Sequence, residues 1–520
     1  MNKISVRFKE YGEKFKDFWN REDGILLIFS ILIGFITHFY LFTHEVMAPD
    51  MVGYSSLYTA GDWEVSLGRW GIQIINGLRG GMINSFLITI VCILGASLSV
   101  IFIRKIFEIE SRIISLLFAT VIMTAPQMAE TLLFTFTADA YFCAILLSCL
   151  AAYMISRTNI GLGKYLLAGI CIIFSLSIYQ TYIGLTIGII IILFIHRLLK
   201  EEDTKENVKW FIKNMCFILI CLILYFLITK IYLYANGLEL ASYRGANSFG
   251  IDILFQIPES VIKIYRQFVE FLFGESVIYN QFWKRNILNG IITGILFLCL
   301  VHQIIREKIY HSPTRLLLLV VAILLFPLGV NIIGIIMPTT GINLVIGYAE
   351  ILYYILFFVV IEKEIRLLRI PSYVAVTILC GTFILSNNAT YMARYDVFQN
   401  YYTESIRILS KVEMLDGYSN ELKWMFSDNI QYVSAYSKMA NGFISNNYMT
   451  WSAAKGIWLN KPFYKKYFGK KINMVTYEQH NAILESEEFQ NMGIYPENDS
   501  IRIIDDIIVI KLSENGSQVQ

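Results

Sequence analysis

The chain has 520 residues, of which 56% are hydrophobic and only 16% charged, and its net charge is +2. A soluble domain carries about 25% charged residues, so the composition argues against an ordinary soluble globule, and the near-neutral balance argues against a basic nucleic-acid binder. The mean hydropathy of +0.55 comes from long apolar runs, the mark of an all-α polytopic membrane protein embedded in a lipid bilayer.

In chain order, residues 1–23 are rich in Lys and Arg and read as an N-terminal segment on the cytoplasmic side; they do not read as a cleavable signal peptide. A first span is expected at 24–42, followed by an external loop, 43–83, too polar to cross. Further spans fall at 84–103, 113–127 and 140–156. Residues 165–195 carry basic residues at both ends and read as two short helices with an outer turn at Tyr179-Gln180-Thr181-Tyr182. A span at 210–234 leads to a second external segment, 235–285, in which 258–273 is amphipathic and suited to lie along the membrane surface. Spans at 287–304, 316–336, 344–361 and 371–388 complete a transmembrane unit, 24–388, of about eleven helices. The odd count places the C-terminal domain, 389–520, outside. This domain is expected to be a small α+β unit, with an amphipathic helix over 396–415 and two strands around a tight turn at Asp505-Asp506.

All eight cysteines lie in apolar runs and the six histidines show no ligand spacing, which argues against a disulfide framework or a cysteine zinc site. No phosphate-binding glycine loop is present. Polar chemistry is concentrated in the first external loop, at His44-Glu-Val-Met-Ala-Pro-Asp50 and Gly61-Asp-Trp-Glu-Val-Ser-Leu-Gly-Arg-Trp-Gly71. Glu45, Asp50, Asp62 and Glu64 share this loop with Arg69, Arg79 and several aromatic rings. Sugar transfer outside the membrane needs a carboxylate to take the proton of an attacking hydroxyl, cations to stabilise a departing phosphate and aromatic faces for sugar rings. Each acid has an equally plain alternative as a solvated loop residue. Asp139 fits a helix cap as well as a site, and Glu350, inside an apolar run, is an intramembrane acid of the kind that marks function or pairs with a neighbouring helix.

The segment Gly61–Gly71, the Ser177-Ile-Tyr-Gln-Thr-Tyr182 element and the ending Tyr495–Ser513, taken in this order, resemble the bacterial GtrII-like membrane glucosyltransferases. The resemblance implies a GT-C type fold in a bacterial plasma membrane. It also implies a polyprenyl-phosphate-linked hexose donor, with glucose as the hexose, and a cell-surface glycan acceptor such as O-antigen, teichoic acid or wall polysaccharide. Asp50 matches the expected position of the base, with Asp62 and Glu64 as rivals. Arg69, Arg244 and Lys230 are candidates for the donor phosphate; Lys230 also reads as a snorkelling anchor. Trp63, Trp70, Asp139, Tyr179 and Gln180 are candidates for sugar or acceptor contacts. No cofactor is certain, and a divalent metal (Mg or Mn) is left open. A flippase and a donor-lipid synthase of the same pathway are the expected partners. The competing readings are a lipid-linked glycan flippase or transporter, a polysaccharide polymerase, and a membrane scaffold presenting the C-terminal domain.

Overall fold

A computed structural model describes residues 21–46, 48, 51, 54, 57–158, 160–200, 203–241, 252–274, 285–337, 343–430 and 457–516. Within bilayer hydrocarbon each backbone N–H and C=O needs an internal partner, so apolar runs of this length fold as helices. Among the described residues, eight helical stretches are long and apolar enough to cross a membrane. They are α4 (Ser85–Phe107), Arg112–Leu133, α7 (Ala138–Ile155), Gln180–Lys200, α10 (Thr204–Ala235), α12 (Arg285–Arg306), α13 (Pro313–Val330) and α15 (Arg366–Glu413). The protein is therefore a multi-pass membrane protein. The expected total of eleven also included α1 (Arg21–His38), α8 (Leu162–Ile178) and Tyr348–Ile361. The first opens on the charged residues Arg21, Glu22 and Asp23, and the other two are shorter.

Two spans differ from the sequence expectation for clear reasons. The second half of 165–195 is not a short helix: α9 (Ile183–Lys200), entered through a 3₁₀ turn at Gln180–Tyr182, makes a stretch of 21 residues. It runs on through Arg197 and Lys200, whose charges suit a helix C-terminus. The predicted span 371–388 and the predicted helix 396–415 are one helix, α15, of 48 residues; no proline or glycine separates them. At about 1.5 Å per residue it is roughly 72 Å long, well beyond a hydrocarbon core of about 30 Å.

Caps and charges set the helix ends. The Asn84 side chain accepts the Leu87 amide at 3.1 Å to open α4, and Asp203 accepts the Glu206 amide at 3.1 Å to open α10. Asp23, fully buried, accepts both Arg104 and Lys105 at 2.7 Å, tying the start of α1 to the end of α4. Pro126 disfavours helical backbone at the residue before it. Ala125 accordingly turns to ψ 138, ending α5 (Arg112–Thr124) and starting α6 (Pro126–Leu133). Inside the bundle α7 packs between α4 and α8, and α9 packs on α13. Small residues let helix backbones approach: a Cβ at Gly184 would sit 2.3 Å from the Val330 carbonyl oxygen.

The C-terminal part hangs on the far end of α15. Its four-stranded sheet runs β2–β1–β4–β3, with β1 (Lys423–Phe426) parallel to β2 (Asn473–Met474) and to β4 (Ile507–Ile510), and β3 (Ile501–Ile504) antiparallel to β4. Asp505 and Asp506 both adopt positive φ, as the two-residue turn of a tight hairpin requires. The Tyr464 hydroxyl of helix α16 (Asn460–Phe468) donates to the Ser405 carbonyl at 3.2 Å. Tyr495 donates to Glu404 at 2.6 Å, so the sheet and its helices are fastened to α15.

Gly184→Val forces a side chain against the Val330 backbone and should lower stability by about 1–3 kcal/mol. Thermal unfolding in detergent checks this, with Gly163→Ala, where a Cβ meets open space, leaving the midpoint unchanged or slightly higher.

Candidate active site

The polar stretch after α1 is folded onto the bundle rather than extended into solvent. The Tyr58 amide donates to the Gly81 carbonyl at 2.7 Å beside an antiparallel bridge between Leu57 and Met82. Two short helices follow, α2 (Asp62–Ser66) and α3 (Gly71–Leu78). Asn76 accepts the Ala60 amide at 3.1 Å, and Gln73 donates to the Ala60 carbonyl at 3.0 Å.

Both carboxylate oxygens of Glu64 are engaged. One accepts the Tyr58 hydroxyl at 2.7 Å and the other accepts the Gly61 amide at 2.8 Å, closing the first turn of α2. Asp62 and Trp63 beside it are exposed. After α2 the chain turns at Gly68, whose φ of +79° favours glycine. The turn is clamped from below. Gln180 donates to the Leu67 carbonyl and to the Tyr225 hydroxyl, each at 2.8 Å, and Tyr225 donates to the Gly68 carbonyl at 3.0 Å. A Cβ at Gly68 would come within 2.5 Å of the Tyr225 hydroxyl. The clamp presents Arg69, whose guanidinium stands 4.6 Å from the centre of the Tyr179 ring. The two halves of the sequence signal, Gly61–Gly71 and Ser177–Tyr182, are thus one unit in space.

Below Arg69 opens a cavity of about 460 Å³ between α8, α10 and the short helix Ile333–Ile336. Its polar lining residues are Arg69, Gln180, Tyr225 and Thr229, and the rest of the lining is apolar, with Leu222, Phe226 and Ile336 among it. Trp70 donates to Thr229 at 3.2 Å and stacks on Tyr232, 5.8 Å between ring centres, so it docks the loop on α10. Lys230, one residue on from Thr229, is exposed, with its ammonium 5.5 Å from the Phe226 ring, and does not line the cavity.

On the other side of Tyr179 lies a chain of tyrosines. Tyr141 stacks on Tyr179 at 4.9 Å, and Tyr182 meets Tyr141 at 6.0 Å and Tyr348 at 5.8 Å, both edge-on. Asp139 is in the first turn of the same helix as Tyr141 and forms an ion pair with Arg79 at 2.5 Å, both side chains largely buried. Arg79 also donates to the Phe136 carbonyl. The cap of α7 is Thr137, not Asp139. Glu350 accepts Asn331 at 2.9 Å, which joins the 3₁₀ turn Tyr348–Ile351 to the end of α13.

Asp50 and Arg244 lie outside the described residues. On either side of residues 49–50, the Ala48 amide donates to the Leu133 carbonyl at 3.2 Å and Met51 sulfur accepts the Thr135 hydroxyl at 2.9 Å. Both anchors are at the C-terminal end of α6. That helix holds a residue the sequence reading passed over: Glu130 is 3% exposed, its Oε2 has no hydrogen-bond partner, and the Arg394 guanidinium of α15 acts on it. The signal was available, since Glu130 is an acid inside an apolar run, the same warning that singled out Glu350. Among the described residues no three His, Cys, Asp or Glu side chains come together as metal ligands.

Of the sequence candidates, Arg69 and Gln180 line the cavity, Tyr179 stands under the Arg69 guanidinium, and Glu64 braces the helix before it. Arg79 and Asp139 form a neighbouring pair, and Trp70 fixes the loop from behind. Placing alanine at Gly68 imposes left-handed strain of about 1–2 kcal/mol. Amide hydrogen exchange at residues 67–72 should accelerate about 5- to 30-fold in Gly68→Ala, read by mass spectrometry of the intact protein.

A family model described as Glucosyl transferase GtrII matches residues 39–361. No curated protein matches the chain, and no solved structure matches it.

Proposed function

The chain belongs to the GtrII glucosyl transferase family, and from that membership we propose that it moves glucose from a polyprenyl-phosphate donor to a cell-surface glycan on the outer face of a bacterial plasma membrane, with inversion at the anomeric carbon. The observation that carries the donor assignment is Arg69, held over Tyr179 and lining a largely apolar cavity between helices of the bundle. An isoprenoid phosphate has the matching polarity, an anionic head on an apolar tail. A guanidinium offers paired N–H donors to phosphate oxygens.

In this reading Asp50 accepts the proton of the acceptor hydroxyl. The hydroxyl oxygen attacks the anomeric carbon, the bond from that carbon to the phosphate oxygen breaks, and polyprenyl phosphate leaves with the bonding pair, stabilised by Arg69. Asp62 is the first rival for the base because it is exposed on the same loop. Glu64 is the second, and its oxygens already hold Tyr58 and Gly61. Arg244 would add a second cation at the phosphate. The N-terminus is cytoplasmic and the C-terminal domain external, following the basic residues of the inner loops. A flippase and a donor-lipid synthase would supply the substrate.

Purified protein in lipid nanodiscs, given polyprenyl-phosphate-glucose and the surface polysaccharide, should consume donor and release polyprenyl phosphate. Arg69→Gln should lower the transfer rate about 10²- to 10³-fold, and Asp50→Asn about 10²- to 10⁴-fold. Full activity in Arg69→Gln would remove the cavity as the donor site. Full activity in Asp50→Asn would move the base to Asp62 or Glu64.

A further inference from the structure

A second cluster of aromatic side chains lies outside the cavity, where the first external loop meets the C-terminal domain. Tyr40 stacks on His44 with 4.0 Å between ring centres, and Tyr395 of α15 stands edge-on to His44 at 4.8 Å. Glu45, next in the chain, faces Lys466 of α16 at 4.0 Å, and that ammonium lies 4.7 Å from the Tyr467 ring. Tyr467 in turn meets Tyr402 of α15 at 5.8 Å. All four tyrosines and His44 are half-buried, while Glu45 is exposed.

Rings with one wet side also occur in the interfacial belts of membrane proteins, but this cluster runs along α15 to the edge of that zone. Counted along α1 from Asp23, whose pairs with Arg104 and Lys105 mark its charged end, His38 stands roughly 22 Å up at about 1.5 Å per residue. Tyr391 of α15 bonds His38, so Tyr395 stands roughly 28 Å and Tyr402 roughly 39 Å from that end. The hydrocarbon core is about 30 Å thick and the whole bilayer about 40–45 Å, so half of its headgroup allowance lies beyond the core on each side. The cluster therefore begins near the end of the hydrocarbon core at Tyr395 and reaches the outer edge of the headgroups at Tyr402. A belt also follows the lipid perimeter, whereas this cluster lines the junction between two parts of the chain and includes a Glu–Lys pair. Flat amphipathic rings that receive the C–H faces of sugars, with an acid and an ammonium for hydroxyl groups, form a surface suited to an uncharged or weakly charged oligosaccharide. Its position is continuous with the proposed active site: Glu45 and Asp50 belong to one short stretch of the first loop, anchored at Ala48 on the Leu133 carbonyl.

We propose that Tyr395, Tyr402, Tyr467 and the Glu45–Lys466 pair bind the acceptor glycan a few sugar units away from the hydroxyl that reacts. This rests on the transferase reading above and adds a place for the acceptor chain. The C-terminal domain, through α16, supplies half of that place.

The test uses the full-length protein in nanodiscs and the surface polysaccharide purified from the cells that make it, in two measurements. Binding without donor is followed by titration calorimetry, and transfer is followed as a function of acceptor and donor concentration. Tyr395→Ala and Tyr467→Ala should each weaken polysaccharide binding and raise the acceptor KM about 3- to 10-fold, with larger effects in the double variant. The donor KM should stay unmoved, and Tyr395→Phe and Tyr467→Phe should retain binding. Unchanged binding in the double variant would overturn the proposal. So would equal losses in donor and acceptor KM, which denote a structural or lipid-anchoring role. Absence of transfer by the wild-type protein, with polysaccharide binding that still depends on Tyr395 and Tyr467, would count against the transferase reading and leave the glycan surface standing.

Discussion

Backbone amides in lipid must find partners within the protein, and the rest of this structure is arranged around that demand. Helices meet it along their length. Where a helix is interrupted inside the apolar zone, protein has to close around the freed N–H and C=O groups. Among the described residues interruptions occur at Ala125-Pro126, at Phe134–Thr137, at Tyr179–Tyr182, at Asn331-Ile332 and at Asn343–Gly347. Their neighbours are one another: α6 and the two 3₁₀ turns are in mutual contact, and α7 starts against them. The bundle therefore has one irregular zone, and that zone carries Glu130, Asp139, Tyr182, Tyr348 and Glu350.

The first loop closes over this zone by polar clamps together with buried apolar side chains, Val46, Met51, Val65 and Ile72 among them. Gln180 and Tyr225 hold Leu67 and Gly68 by their carbonyls, while Arg79 reaches Asp139 and the Phe136 carbonyl. Each clamp satisfies a backbone or charged group that would otherwise be costly to bury. The same contacts aim Arg69 over Tyr179 and above the cavity. Loop folding and placement of the cation are thus a single event, which explains why sequence elements more than one hundred residues apart together made the family recognisable.

The long helix α15 does for the C-terminal domain what the clamps do for the loop. Because it continues without a break from the membrane into the domain, the sheet, α16 and the first loop share one rigid support. Tyr391 of this helix bonds His38 at 2.8 Å, and Asn387 reaches the Thr124 carbonyl at 2.7 Å. Both contacts join it to α1 and α5 near the irregular zone. A glycan seated on the outer part of α15 would be held at a set distance from the loop that carries Asp50.

Hydropathy alone made the membrane spans legible, because twenty apolar residues in lipid have few options but a helix. The Asp505-Asp506 hairpin was legible as well, since two β-branched runs around a turn-forming pair leave little choice of register. Span ends were less so: α9 and α15 ran past their apolar stretches because helical hydrogen bonding does not stop where hydrophobicity does. The loop acids looked alike in sequence, and only their partners told them apart, with Glu64 engaged at both oxygens and Asp62 exposed. Glu130 and Arg394 are 264 positions apart, and nothing local in either predicts the other. Composition and periodicity determined that this chain enters the bilayer and where it does so. Tertiary structure decided which polar side chains face one another, because that depends on helix rotation and on where helices break, and both are fixed by packing between segments distant in the chain.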